Sequence, residues 1–205
     1  MPKQFHSMGG APLFQITATR LLESFSIERL ILSAPADYLA NDELLAPLEQ
    51  LKQQFPVEIE CVAGGESRHH SLVNAIPKVS KDVKATLVHD ANRPYLTDAF
   101  ANAIIQALSR LDSFDALIPV LPMVDSVCQI DQQGEVTSYV DRALLKRIQT
   151  PQICKTSVLL SLPGELDSPP TDEGSWFRKH GLRVGTYDGD PGNKKVTFKE
   201  DLSNE

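Results

Sequence analysis

The sequence is poor in aromatics, 6% of 205 residues with a single Trp, and it holds only three cysteines, Cys61, Cys128 and Cys154. They are odd in number, widely spaced and outside any CxxC pair. That excludes a disulfide framework and a structural zinc site, and it sets the expectation of reduced thiols in a cytoplasmic protein. Long hydrophobic runs are missing too. Stretches such as Leu30-Ile31-Leu32 and Ala116-Leu117-Ile118-Pro119-Val120-Leu121 fall far short of the ~18 residues that a membrane span needs. The start shows no basic region followed by an apolar stretch and a cleavage site, so no secretory leader is read there. Positive charge is scarce: 20 Lys+Arg against 27 Asp+Glu give a net charge of −7. No run of basic residues interleaved with aromatics appears, which argues against a nucleic-acid partner.

What remains is the composition of a globular protein, 41% apolar. A chain this long buries roughly 70% of its unfolded surface in one core, and a single domain over 1–205 is expected. Short β-branched or apolar runs, Arg29–Ser33, Val57–Val62, Ala85–His89 and Ala116–Val120, alternate with segments of helical period, Ala11–Leu22, Asn41–Gln53, Arg68–Ile76 and Ala99–Leu111. Repeated βα units predict an α/β fold with a mainly parallel sheet. After Leu121 the pattern changes. Two short strands, Ser126–Ile130 and Val136–Val140, flank the polar turn Asp131-Gln132-Gln133-Gly134 and predict a β-arm over about 124–148 that leaves the sheet. A polar-basic stretch Asp141–Gln149, a Thr150-Pro151 break, a short helix, a Pro-rich loop, a helix near Asp172–His180 and a strand near Leu182–Tyr187 complete the reading.

In sheets of this kind ligands bind beyond the carboxyl ends of the strands, so the loops there are the places to look. After Val62 comes Ala63-Gly64-Gly65-Glu66-Ser67-Arg68-His69-His70-Ser71, in which two glycines let backbone N–H groups approach a ligand ahead of a helix N-terminus that favours anions. Read alone, the same residues make an ordinary strand-to-helix turn with a Ser cap. Val88-His89-Asp90-Ala91-Asn92-Arg93-Pro94 sets an acid and a base three apart; the Asp could hold a ribose hydroxyl or a divalent cation, or the pair could only fix the loop. Asp141-Arg142 and Gln149-Thr150-Pro151-Gln152 offer a guanidinium and a hydroxyl suited to phosphate. Asp188-Gly189-Asp190-Pro191-Gly192-Asn193-Lys194-Lys195 is a tight loop delivering two lysines. The adjacent His69 and His70 face apart and complete no zinc set.

These pieces, with Pro2-Lys3-Gln4-Phe5 before them and Thr171-Asp172-Glu173, Val196-Thr197 and Glu200-Asp201-Leu202 among or after them, occur in one order from Pro2 to Leu202. The set resembles the 2-C-methyl-D-erythritol 4-phosphate cytidylyltransferase family. The resemblance implies a Rossmann-like nucleotidyltransferase fold, Mg²⁺ as cofactor, CTP and a polyol phosphate as substrates, and a homodimer whose β-arm reaches into the partner's site. Carried over residue by residue, it makes Lys3 and Lys195 the catalytic charges at the α-phosphorus. It gives Gly64, Gly65, Glu66, Ser71, Asp90 and Ala91 to the nucleotide, with Asp90 also at the metal. Arg93, Ser126, Arg142, Thr150 and Thr171 would take the polyol phosphate. Related enzymes act on ribitol 5-phosphate, and the same motifs would serve them; an inactive dimeric binding homologue is the reading from another class.

The sequence departs from the family pattern in Glu66 and Ser126, where Asp and Thr are usual, and in Asn92, where a small residue is common. The family opens with a strand and a glycine-rich, Arg-bearing loop before the Pro-Lys-Gln motif, whereas here Met1 stands at that place. The expected consequence is an exposed strand edge or a gap near the sheet centre, and an internal start is one reading of it.

Overall fold

The computed structural model describes residues 2–164, 168–197 and 201. Met1, Glu200 and Leu202 of the motifs above lie outside the described residues. The chain begins with a 3-10 turn, Lys3–Phe5, then a small ribbon, β1 (Ser7–Met8) and β2 (Ala11–Pro12), that leads into α1 (Leu13–Ser24). There follow β3 (Arg29–Ala34), α2 (Asp42–Gln54), β4 (Glu58–Ala63), α3 (Arg68–Ala75), β5 (Ala85–Val88), α4 (Asp98–Leu108) and β6 (Ala116–Pro122). The helices start where the sequence supplies caps: Asn41, Ser67 and Thr97 each accept a backbone N–H of the first turn of α2, α3 and α4. A hairpin, β7 (Val127–Ile130) and β8 (Val136–Val140), pairs only with itself among the described residues. Then come β9 (Lys146–Ile148), β10 (Gln152–Lys155), α5 (Thr156–Leu159), α6 (Glu173–Lys179) and β11 (Val184–Asp188).

The main sheet is mixed rather than mainly parallel, which corrects the sequence-based expectation. Its strand order is β11-β6-β10-β5, with β9 on β6. Only β11 runs parallel to β6, while β10 is antiparallel to both of its neighbours and β9 to β6. A parallel neighbour needs a crossover of a dozen or more residues, usually a helix. The chain between β6 and β10 contains no crossover helix, only the hairpin and its return, so it re-enters the sheet reversed. The strand responsible, β10, was read from sequence only as a break and a short helix. Its Gln152 is fully buried, which a polar residue tolerates because its amide donates to Asp172 and accepts from the Gly174 N–H.

Side chains alternate across this sheet with period two. Leu117 and Ile153 face a core closed by Phe100, Ile104 and Tyr187, whereas their neighbours Ala116 and Cys154 face Leu159, Trp176 and Phe177. The parallel pair β3–β4 forms a separate sheet. Between it and β5 lies an apolar cleft of about 90 Å³, roofed by α1 and lined by Leu30, Leu32, Leu87, His89 and Ala91. No backbone pairing joins β3–β4 to β5 across this cleft among the described residues. Among the described residues no helix is long and apolar enough to cross a membrane.

Candidate active site

A second cleft, about 240 Å³, opens beyond the carboxyl end of β5, between the β9–β10 junction, the start of α6 and the loop after β11. Asp90, two residues past β5, is its centre. Its Oδ1 accepts a hydrogen bond from Arg68 Nε at 3.1 Å, and its Oδ2 accepts from Lys195 Nζ at 2.9 Å and from Arg93 Nε at 3.4 Å. Burial by itself pushes the carboxyl upward, but Arg68 and then Lys195 outweigh it and hold the group well below the usual carboxylate range. Three cations thus converge on one carboxylate, with Asp172 the other acid on the wall. Such a site can take phosphate oxygens, because the cations already lie side by side and present N–H donors to the cleft.

Lys195 reaches this point because the chain on either side of it is anchored. Asn193 is fully buried and donates to the Thr150 carbonyl; its own carbonyl accepts from Arg93 and Gln149. One residue beyond the lysine, the Val196 N–H donates to the Asn92 carbonyl and Asn92 Nδ2 donates back to the Val196 carbonyl. The anchored backbone fixes where the lysine stem starts, and from there Nζ meets Asp90 Oδ2.

The Asp90 backbone is held by a directional chain. The Asp90 N–H donates to Thr150 Oγ1, the Thr150 hydroxyl lies 2.9 Å from His89 Nδ1, and His89 Nε2 lies 3.3 Å from the Arg93 carbonyl. A carbonyl only accepts, so Nε2 carries the proton, Nδ1 accepts and the Thr150 hydroxyl donates to it. Burial lowers the His89 pKa to about 4, with the Asp90 charge opposing. The sign follows: the unfolded chain binds the proton more readily between pH ~6.5 and the folded value. Stability contributed by neutral His89 is therefore complete above that range and is lost as pH falls through it, by up to about 1.4 kcal/mol per pH unit. Urea titrations at pH 7 and pH 5 should show a smaller difference in His89→Asn than in the native chain; equal differences would refute the assignment.

Of the residues singled out from sequence, Asp90, Arg93, Thr150, Thr171 and Lys195 line this cleft. The others do not. Gly64 and Gly65 turn into α3, where the Gly65 N–H donates to Ser71 Oγ and the Ser71 hydroxyl donates to the Ser67 carbonyl, so Ser71 acts as a fastener of that loop. The loop needs glycine at 65 because a Cβ there would stand 2.4 Å from the His70 Cβ. Glu66 is exposed on the same turn. Ala91 packs towards Phe5 and Phe14 and lines the apolar cleft, with its carbonyl accepting from Thr17. Lys3 is exposed on the first turn, Ser126 is exposed before β7, and Arg142 donates to the Val124 carbonyl at the base of the hairpin.

Arg68, expected with Lys3, Arg93, Arg142 and Lys195 on one rim of the sheet, was given no role, and neither were Gln149, Gln152, Asp172 or the buried Glu173 behind them. Arg68 Nη1 and Nη2 both donate to the Glu173 carboxylate. The signal was an Arg at the first position of a helix, which by itself marks no partner; Glu173 lies 105 residues away in sequence. Among the described residues no cluster of three His, Cys, Asp or Glu forms a metal cage.

Residues 1–205 match the family model described as 2-C-methyl-D-erythritol 4-phosphate cytidylyltransferase. The chain belongs to that family. A member from Nocardia farcinica is 33% identical over 201 residues, covering 98% of this chain and 83% of that protein. Another, from Bacillus anthracis, is 36% identical over 168 residues, 79% of this chain and 72% of its own length. In solved structures, a 4-diphosphocytidyl-2C-methyl-D-erythritol synthase from Anaerococcus prevotii superposes with a TM-score of 0.81, 23% identity, 97% coverage of this chain and 89% of that one. The cytidylyltransferase from Thermus thermophilus gives 0.74, at 23% identity, with 98% and 90% covered. These two likenesses carry the α/β nucleotidyltransferase fold, and the family match carries the enzyme class. The three-cation cleft, with its strand-end carboxylate, is the candidate site for that chemistry.

Proposed function

We propose that this cleft transfers a cytidylyl group from CTP to 2-C-methyl-D-erythritol 4-phosphate. An oxygen of the substrate phosphate attacks the α-phosphorus of CTP in line; the new O–P bond forms as the bond to the β-phosphate oxygen breaks, and pyrophosphate leaves with the electron pair. Little covalent work falls to the protein, so catalysis is positioning plus stabilisation of charge. Lys195 neutralises charge at the α-phosphorus, and the exposed Lys3 is assigned the same task. Arg93 and Thr171 face the polyol phosphate; the Thr150 hydroxyl proton is given to His89, so Thr150 contributes there only through a free lone pair. Gly64, Gly65 and Glu66 present the loop that meets cytosine and ribose, with Ser71 bracing it.

The convergence of Arg68, Arg93 and Lys195 on Asp90 is the observation that carries this reading. Mg²⁺ fits the site in a limited way. A carboxylate has about four lone-pair positions and three are used by cations, so Asp90 can supply one ligand while the phosphates of CTP supply others, as is usual for this ion. When bound, the metal would neutralise phosphate charge.

The hairpin carries the second half of the proposal. Tyr139 is 79% and Leu144 82% exposed, and Val124, Ile130 and Val136 are open beside them. So many large apolar side chains on one projecting arm favour burial against a second copy of this chain, which would bring the partner's Ser126 and Arg142 towards the cleft. Tyr139→Glu should shift the sedimentation coefficient from dimer to monomer; an unchanged value refutes the arm as the interface. The reaction itself is tested by incubating the chain with CTP, Mg²⁺ and methylerythritol phosphate, with ribitol 5-phosphate in parallel. Pyrophosphate release with the first polyol and little with the second is expected, and none with either refutes the proposal.

A further inference from the structure

Glu173 is 2% exposed and does not line the cleft, yet both of its carboxylate oxygens are taken by the Arg68 guanidinium. It is the first residue of α6, and the turn that carries it is rigid. Asp172 caps the helix in a reciprocal box with Ser175, and Gln152 bridges Asp172 and the Gly174 N–H. With one N–H of Nη1 and one of Nη2 on Glu173, the guanidinium is held in one orientation, and in that orientation its Nε–H ends on Asp90 Oδ1 at 3.1 Å. The other carboxylate oxygen, Oδ2, stays with Lys195 and Arg93.

A buried ion pair is a poor device for stability, because well-packed apolar residues commonly do as well. This pair has a geometric consequence instead. A guanidinium released from Glu173 would turn its two-pronged edge onto Asp90, the bidentate geometry that arginine prefers with carboxylates. It would then compete with Lys195 for Oδ2. We propose that Glu173 is a positioning residue for nucleotidyl transfer: by holding the Arg68 fork it confines Arg68 to one oxygen of Asp90 and leaves the other to Lys195. The role rests on the cytidylyl-transfer reading and names a residue behind the cleft wall that orders the cations in front of it.

The test is a double-mutant cycle read as kcat/KM for CTP, with CTP affinity by calorimetry on the same proteins. Glu173→Gln and Arg68→Lys should each lower kcat/KM roughly tenfold, since either change loses the two-pronged lock. The double variant should lose no more than the worse single. Losses that multiply to about 100-fold overturn the proposal, and so does a Glu173→Gln protein that melts earlier with kcat/KM unchanged, the behaviour of a purely structural pair. If Glu173→Gln does not fold, Arg68→Gln is compared with Arg68→Gln/Glu173→Gln, which buries no unpaired charge; equal kcat/KM supports the proposal and a further loss overturns it. A native chain that binds CTP without turnover moves the test to affinity, with the same tenfold, non-additive pattern expected. A native chain that does neither overturns the function and the positioning role together.

Discussion

Lys195→Ala is expected to lower kcat by roughly 100-fold to 1,000-fold while leaving the melting midpoint nearly unchanged. The two halves of that result have different causes. The side chain is 42% exposed and its contact with Asp90 is an open ion pair, of the kind worth little to stability in water. Its ammonium nevertheless stands on a backbone anchored at Asn193 and Val196, so its charge is placed before substrate arrives. Charge set in advance where negative charge develops needs no reorganisation during the reaction, which is why one such group carries several factors of ten. Steady-state kinetics with CTP varied at saturating polyol phosphate decide the matter. A variant with native kcat and only a raised KM would show that Lys195 binds ground-state nucleotide and does nothing more.

Asp90→Asn is expected to damage both stability and turnover. The carboxylate is 11% exposed, and Arg93, one of its three cations, is 10% exposed, so solvent screens little of the charge that would be left behind. Removing one partner of such a pair costs about 3 kcal/mol, and the asparagine amide can present only one oxygen where two now serve three donors. Turnover should fall about 100-fold, because Arg68, Arg93 and Lys195 lose their shared anchor. The sign with pH is separable from that of His89. A carboxyl held well below its ordinary value contributes stability that is fully present above the unfolded pKa of ~3.9 and is lost only as pH falls below that. Between pH 7 and pH 5 the deficit of Asp90→Asn should therefore be constant, because both chains lose the same part of the His89 contribution over that range. Denaturant titrations at both pH values measure it, and a deficit that shrinks towards pH 5 would contradict the assigned ionisation.

Much of the fold was legible because its signals are local. The runs around Arg29, Val57, Ala85 and Ala116 became β3 to β6, and Asn41, Ser67 and Thr97 cap the helices beside them. The hairpin followed from a Gly-containing polar turn between two short strands, and Gly134 does adopt a positive φ of 87° there. The strand that reversed the sheet was not legible. Gln152-Ile153-Cys154-Lys155 is four residues long with polar ends, and its buried glutamine makes sense only once Asp172 and Gly174 are beside it.

The site divides the same way. Asp90, Arg93 and Lys195 came to notice because each lies in a strand-end loop, and the order of those loops along the chain carried the family resemblance that gave them roles. Glu173 was seen only as a member of a motif, and Arg68 only as one of several basic residues on the rim of the sheet, with no partner assigned. A carboxylate and a guanidinium 105 residues apart leave no trace of their pairing in either local sequence. By itself, then, the sequence determined the α/β alternation, the β7–β8 hairpin, the family and the residue types at the strand ends, all of which are properties of short segments and their order. Tertiary structure alone decided the mixed direction of the sheet and the division of three cations over two oxygens of Asp90. It also decided that Thr150 gives its proton to His89 rather than to a ligand. Each of these depends on which distant segments meet, and burial and hydrogen-bond satisfaction select those meetings only after the chain has closed on itself.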